Sequence, residues 1–279
     1  MARLKLQFRA ATGTMQATKS LRGLSLFIKQ ALFLLFWIGV WAFFAWKIDI
    51  PFLLPTPIAV LKSLWQLLCG DTLFPAVLRS LKSLAIGFAI GSLIGIFTAI
   101  PSVFSKQFSG VLSPLYTIVR ATPVASFIII AWVFLDSGVL PIFISALMTA
   151  PIVWSNLSKG IDALDRSLLE VAQVYRFSLL KRIRVYWLPS LLPFLSSGLS
   201  TALGLAWKSS IATEILVRSD KTIGYHIWDA KAWNIDTSAL FAWTIVALII
   251  SLIFDLVLSF ALERVSRRKA IRREASHNA

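Results

Sequence analysis

The chain has 279 residues, of which 57% are hydrophobic and 15% are charged. Soluble domains rarely reach that apolar content, so the composition predicts a polytopic membrane protein with one helical domain. The net charge of +15 is gathered in tails and loops, which argues against a nucleic-acid-binding protein, and the single cysteine and two histidines argue against a disulfide or a metal site.

Six apolar segments approach the roughly 20 residues that a helix needs to cross a bilayer. They cover residues 28–46, 83–103, 111–135, 140–158, 191–216 and 238–261. The predicted fold is therefore all-α, with a transmembrane domain over residues 28–262 between basic tails at 1–27 and 263–279. About thirty residues precede the first segment, so we interpret it as an uncleaved span and not as a signal peptide.

Lysine and arginine residues indicate which side of the membrane each loop occupies. The 159–190 segment and the C-terminal tail carry six each, and the N-terminal tail carries five, with Lys29 at the start of the first span as a sixth. The opposite loops carry about five to seven in total. Cytoplasmic loops are enriched in these residues. Both tails and the 159–190 segment are therefore predicted to be cytoplasmic.

The segment between the first two spans, residues 51–76, is too interrupted to cross the membrane. Leu54-Pro55-Thr56-Pro57 opens a stretch with apolar residues near helical spacing. Proline is favoured at the start of a helix, so we expect an interfacial helix on the outer surface.

Glycines recur every four residues in the second span, at Gly87, Gly91 and Gly95. Such a row gives a helix one smooth face that a neighbouring helix can approach closely. It predicts tight helix packing with no direct role in function.

The third and fifth spans contain the candidate pathway residues. Arg120-Ala121-Thr122-Pro123 interrupts the third span and predicts a kink, because proline lacks a backbone donor and disfavours helix at the residue before it. In the fifth span, small and polar residues form a row that either packs a neighbour or lines a watery passage. Lys208 ends that row, and no acidic residue lies at helical spacing from it in the same helix. We interpret Lys208 as contacting either an anionic solute or a group on another helix. The candidate pathway set is Arg120, Pro123, Thr201, Gly204 and Lys208.

A polar, basic segment at 159–190 lies between two apolar runs. Val171, Val174 and Tyr175 form an apolar stripe after Glu170, and Leu188-Pro189 begins the next span. A helix–turn–helix that displays apolar side chains outside the membrane is typical of a helix that docks into a groove on a soluble protein.

This segment, Glu170-Val171-Ala172 through Leu188-Pro189, resembles the EAA loop of permeases in ATP-binding cassette importers. The resemblance extends over about 230 residues and includes Leu54-Pro55-Thr56-Pro57, Arg120-Ala121-Thr122-Pro123, Pro151 and Ala206-Trp207 followed by Glu214. These motifs are similar to the nitrate, sulfonate and taurine branch. The family usually has glycine in the turn where Arg176 stands here, and alanine at Val171.

The resemblance implies an inner-membrane permease that works as a homodimer with two cytoplasmic ATPase subunits and an external solute-binding protein. It assigns coupling to the ATPase to Glu170, Val171, Ala172, Val174, Tyr175 and Arg176. It implies no catalytic residue, cofactor or metal in this chain, which also lacks a phosphate-binding loop of its own. The solute would be a small anion such as a sulfonate, taurine, nitrate or bicarbonate.

Other interpretations stay open on the sequence alone. The same importer class carries neutral or aromatic solutes such as vitamin precursors and riboflavin. A secondary transporter would couple solute to ions through intramembrane carboxylates, for which Glu214 and Asp255 are available. A membrane-embedded enzyme would need a cluster of polar catalytic residues at one face of the bilayer, and the sequence contains none. A non-transporting assembly factor is a further alternative.

Overall fold

A computed structural model describes residues 28–164, 174–175, 177–232 and 235–277, with the side chains of residues 103, 104, 179 and 261–277 left out of the description. Within those ranges every regular element is helical, which confirms the predicted all-α class. The chain divides into two compact units, Met1–Ser63 and Leu64–Ala279.

The described part of the first unit contains helix α1, Ile28–Ile48, and the start of helix α2, Pro57–Cys69. Most α1 side chains are exposed and apolar, as expected of a helix surrounded by lipid. The indole nitrogen of Trp41 donates to the carbonyl of Pro55 at 3.0 Å. Thr56 caps α2 by accepting from the Ala59 N–H at 3.3 Å, and Pro57 is the first helical residue. A first apolar helix and a helix that begins at Pro57 are thus confirmed, and the outer-surface location of the second stays a prediction.

The second unit begins within α2 and contains the remaining helices. They are α3 Leu73–Phe104, α4 Lys106–Ala121, α5 Val124–Trp132, α6 Leu140–Asp162, α7 Leu179–Arg182, a π-helical turn Ile183–Trp187, α8 Leu188–Val217, α9 Ile223–Ala232 and α10 Thr237–His277. Among the described residues, five helical segments are long and apolar enough to cross a membrane, and a bent pair, α4 with α5, makes up to six. The six predicted spans correspond to these segments.

Helix α3 begins ten residues before the predicted start of the second span. Arg79 and Lys82 lie just before the predicted start of that span, at residue 83. Both side chains are exposed, and long basic residues are good helix formers. Hydropathy therefore located most of the helix but not its first ten residues.

The glycine row of α3 packs directly against α6, as predicted. A Cβ atom at Gly87 would lie 2.4 Å from the carbonyl oxygen of Ile142, and one at Gly95 would lie 2.8 Å from that of Ala150. Real Cβ atoms do not approach other atoms so closely. The two helix backbones are in contact because side chains are missing along this row.

Helix α6 forms the centre of the second unit and packs against α8 on another side. Gly160 of α6 faces the ring of Phe194, and Gly198 of α8 faces the side chain of Asn156. Ile144, Val153 and Trp154 of α6 are buried. The central position of α6 fixes the orientation of α8, which carries most of the candidate pathway residues.

Candidate functional site

Helix α8 has a packed face and an open face. Ala202, Ala206 and Trp207 are buried, and the Trp207 indole nitrogen donates to the Ala247 carbonyl of α10 at 3.2 Å. Ser197 and Thr201 are exposed on the other side of the same helix. Packing against α6 and α10 therefore leaves one polar strip of α8 uncovered in the single chain.

Lys208 lies on that open strip. Its side chain is exposed, and within the described residues its ammonium group makes no hydrogen bond or ion pair. A Cβ atom at Gly204 would meet nothing within 4 Å, so the space beside the strip is empty of protein. Thr201, Gly204 and Lys208 thus lie along one strip of α8, and their role in a solute pathway stays a prediction.

Arg120 and Pro123 lie where the third span breaks. Helices α4 and α5 meet at an angle of 97°, and the predicted kink is confirmed as a nearly right-angled bend. Thr122 ends α4 by donating from both its N–H and its hydroxyl to the Ile118 carbonyl, at 3.0 and 2.8 Å. Pro123 has no N–H to continue the helix.

Residues at this break are not covered within the single chain. Ala121 and Pro123 are exposed. Irregular backbone within a span does not face lipid, because unpaired carbonyl and N–H groups cost several kcal/mol there. For a break at the depth of the bilayer core, this principle predicts a water-filled passage or another protein surface on this side of the second unit.

Arg120 reaches α6, not α8. Its guanidinium Nη1 donates to Ser155 Oγ at 3.4 Å, and the next residue of α6, Asn156, packs on Gly198 of α8. Arg120 and the packed face of α8 therefore contact neighbouring residues of α6. The structure shows no contact that joins Arg120 directly to Lys208 within the described residues.

The described part of the 159–190 segment displays apolar side chains, in agreement with the pattern seen in the sequence. Val174 and Tyr175 are 79% and 72% exposed. The rings of Tyr175 and Phe177 are tilted relative to each other by 47°, with centroids 6.4 Å apart. The Lys181 ammonium lies 4.2 Å from the Phe177 ring centroid. The other predicted coupling residues, Glu170, Val171, Ala172 and Arg176, lie outside the described residues.

The two carboxylates available for ion coupling differ in their surroundings. Asp255 is exposed on α10. Glu214 is completely buried and accepts hydrogen bonds from Ser80 and from the Gly224 N–H, at 2.8 and 3.2 Å. Sequence reasoning missed Ser80 as its partner, because a serine 134 residues earlier carries no signal that can be read from spacing.

A titratable histidine lies near the start of α9, outside the candidate membrane spans. His226 of α9 stacks on Trp243 with ring centroids 4.5 Å apart and an angle of 6° between the rings. Burial lowers the pKa of His226 below its ordinary value of 6.5, while Asp229 and Asp220 act in the opposite direction. The fold therefore favours the neutral imidazole.

Comparisons with known proteins agree with this architecture. Residues 91–271 match the family described as binding-protein-dependent transport system inner membrane component. A putative aliphatic sulfonates transport permease protein, SsuC of Bacillus subtilis, is 30% identical over 204 residues, which cover 72% of this chain and 73% of the relative. The nitrate import permease protein NrtB of Synechococcus elongatus is 33% identical over 191 residues, covering 63% and 67%. The bicarbonate transport system permease protein CmpB of the same organism is 32% identical over 166 residues, which cover 58% of this chain and 59% of the relative.

Two solved structures share the fold. The MetNI methionine ABC transporter in an inward-facing conformation matches with a TM-score of 0.54 at 14% identity, covering 76% of this chain and 98% of that chain. A bacterial alginate ABC transporter, solved with an alginate-bound periplasmic protein, matches with a TM-score of 0.54 at 17% identity, covering 87% and 94%. The chain therefore belongs to the family of binding-protein-dependent transport system inner membrane components, and it is a multi-pass permease subunit of an ATP-binding cassette importer.

Proposed function

We propose that two copies of this chain enclose a passage for a small anion, along the open strip of α8 and the break between α4 and α5. The observation that carries this proposal is Lys208, an exposed lysine within an apolar span that has no partner in the described residues. A charge in that position is costly unless it faces water, a solute or an opposite charge. A second copy of the chain would exclude lipid from it.

The anion is proposed from charge and from the relatives. Lys208 and Arg120 are both exposed in the single chain, and both are positively charged. The three relatives described above are named for sulfonates, nitrate and bicarbonate, which are all anions. Both observations favour an anion over a neutral solute.

Movement of the passage would be driven by two ATPase subunits on the cytoplasmic side. The exposed side chains of Val174 and Tyr175 support a docking surface in the 159–190 segment, with Glu170 beside it in the sequence. The excess of lysine and arginine in this segment and in both tails supports a cytoplasmic location for all three. An external binding protein would deliver the solute to the opposite side.

The arrangement is tested by co-expressing the chain with its ATPase and binding protein and reconstituting the complex in proteoliposomes. We expect uptake of at least one of nitrate, bicarbonate or taurine, driven by enclosed ATP and dependent on the binding protein. Uptake of riboflavin alone would contradict the anion assignment. Uptake by this chain alone, driven by an ion gradient, would contradict the proposal that ATPase subunits drive transport.

The coupling role of Glu170 is tested in the same complex. Glu170→Ala should detach the ATPase or abolish solute-stimulated hydrolysis, because the docking helix loses its carboxylate. Glu263→Ala, which removes a carboxylate from the C-terminal tail, is the matched control and should keep both. Normal hydrolysis and transport by Glu170→Ala would remove this residue from the coupling surface.

A further inference from the structure

The buried carboxylate of Glu214 lies where three helices meet. It is at the end of α8, it accepts from the Ser80 hydroxyl of α3 at 2.8 Å, and it accepts from the Gly224 N–H of α9 at 3.2 Å. Ser80 Oγ in turn accepts from the Ile223 N–H at 3.1 Å. One oxygen, Glu214 Oε2, receives both hydrogen bonds, and Oε1 receives none within the described residues.

These contacts complete the N-terminus of α9. The first N–H groups of a helix have no partner inside the helix. Here Ile223 donates to Ser80 and Gly224 donates to Glu214, while Tyr225 donates to the Thr222 hydroxyl at 3.2 Å. A carboxylate at this end of a helix is also favoured by the helix dipole.

Close packing holds the same corner together. A Cβ atom at Gly224 would lie 2.4 Å from the Cβ of Glu214 and 2.6 Å from the backbone nitrogen of Ile215. Only a glycine allows α9 to approach α8 so closely at this point. Glu214, Ser80, Ile223 and Gly224 are all buried.

We infer that Glu214 is a positioning residue that keeps α9, the end of α8 and the start of α3 together as one rigid corner throughout the transport cycle. It does not exchange ions or protons with the solute pathway. Lys208 lies on the exposed side of α8, whereas Glu214 faces inward from the same helix. Its function is to make α9 follow every movement of α8.

Glutamine and leucine substitutions separate this role from an ion-coupling role. In Glu214→Gln, the amide oxygen can take the position of Oε2 and accept both hydrogen bonds, and the NH₂ group takes the position of the unused oxygen. Glu214→Leu has a similar volume but leaves the Gly224 N–H and the Ser80 hydroxyl without an acceptor. A positioning residue is rescued by glutamine, whereas an ion-binding carboxylate is not.

The first measurement is hydrogen exchange of the peptide that contains Ile223 and Gly224, in the complete transporter without nucleotide and with ADP trapped by vanadate. We expect strong protection in both states for the natural protein and for Glu214→Gln. In Glu214→Leu the Gly224 amide, which loses its acceptor, should exchange about tenfold faster or more, a change that corresponds to about 1.4 kcal/mol. Ser80→Ala should speed exchange of the Ile223 amide selectively, because that N–H loses its acceptor. Loss of protection in only one nucleotide state of the natural protein would overturn the rigid corner.

The second measurement is the amount of solute imported per ATP hydrolysed, with nitrate, bicarbonate and taurine as probes. Glu214→Gln should keep the natural ratio, and Glu214→Leu should lower it because α9 no longer follows α8. Equal loss in both variants, with amide protection intact in Glu214→Gln, would show that the charge itself is needed and would overturn the proposal. The exchange measurement needs no solute, so its result is independent of the proposed anion.

Discussion

The contact between α3 and α6 predicts a large effect of adding one methyl group at Gly91. A Cβ atom there would lie 2.5 Å from the Ala146 carbonyl oxygen, 2.7 Å from the Thr149 Cβ and 2.8 Å from the Ala146 Cα. Ordinary contacts begin at 3.4 Å, so the first distance must grow by 0.9 Å (3.4 minus 2.5). Two of the three atoms belong to backbone, which cannot rotate away.

Gly91→Ala should therefore destabilise the permease. Forcing extra atoms into a packed interface costs about 1–3 kcal/mol, and separating two surfaces by about 0.5–1 Å forfeits a quarter to a half of their dispersion energy. The matched control is Gly110→Ala in α4, where a Cβ would meet nothing within 4 Å. There the same change should stabilise by roughly 0.5–1 kcal/mol, because glycine is unfavourable inside a helix.

The assay is thermal unfolding of the purified chain in detergent, followed by circular dichroism for both variants in parallel. We expect the midpoint of Gly91→Ala to fall below that of the natural protein and the midpoint of Gly110→Ala to stay level or rise. If both variants shift in the same direction by the same amount, the α3–α6 backbone contact is not as the structure describes it.

Two further predictions concern charged groups. Because burial lowers the pKa of His226 below 6.5, the unfolded chain binds more protons than the folded chain near that value, and stability should fall as the pH drops through 6.5 and below. His226→Phe keeps a ring stacked on Trp243 and removes the titrating group. Its thermal unfolding midpoint should therefore fall less between about pH 8 and about pH 5 than that of the natural protein. The same fall in both proteins would assign the loss of stability to other groups. Lys208→Ala should lower anion uptake roughly tenfold or more at limiting solute, since charge-assisted hydrogen bonds contribute about 1.5–3 kcal/mol, while assembly with the ATPase is retained. Lys231→Ala, an exposed lysine of α9, should transport normally, and equal kinetics in the two lysine variants would exclude Lys208 from the passage.

Local patterns in the sequence predicted those features that depend on residues close together in the chain. The six spans, the helix after Pro57 and the smooth face of Gly87, Gly91 and Gly95 follow from hydropathy and helical spacing. The proline of Thr122-Pro123 predicted a break, but the 97° angle depends on the packing of α4 and α5 around it. No local pattern contains that information.

Features that depend on distant residues were not predicted. From the sequence, Glu214 is available as an ion-coupling carboxylate because its charge lies within a span. Its partner Ser80 comes from another helix, and Gly224 comes from a helix after the span. Which helices meet at this corner is decided by tertiary packing, so the role of Glu214 becomes visible only in the folded chain.

The division of α8 into two faces has a consequence for how such importers acquire new solutes. Residues that hold the helix in place and residues that would meet the cargo are different residues on the same helix. Exchanging Ser197, Thr201 or Lys208 changes size and charge along the proposed passage and leaves the contacts of Ala206 and Trp207 intact. A lineage can therefore explore new nutrients by single, individually tolerated substitutions, without first losing a stable protein.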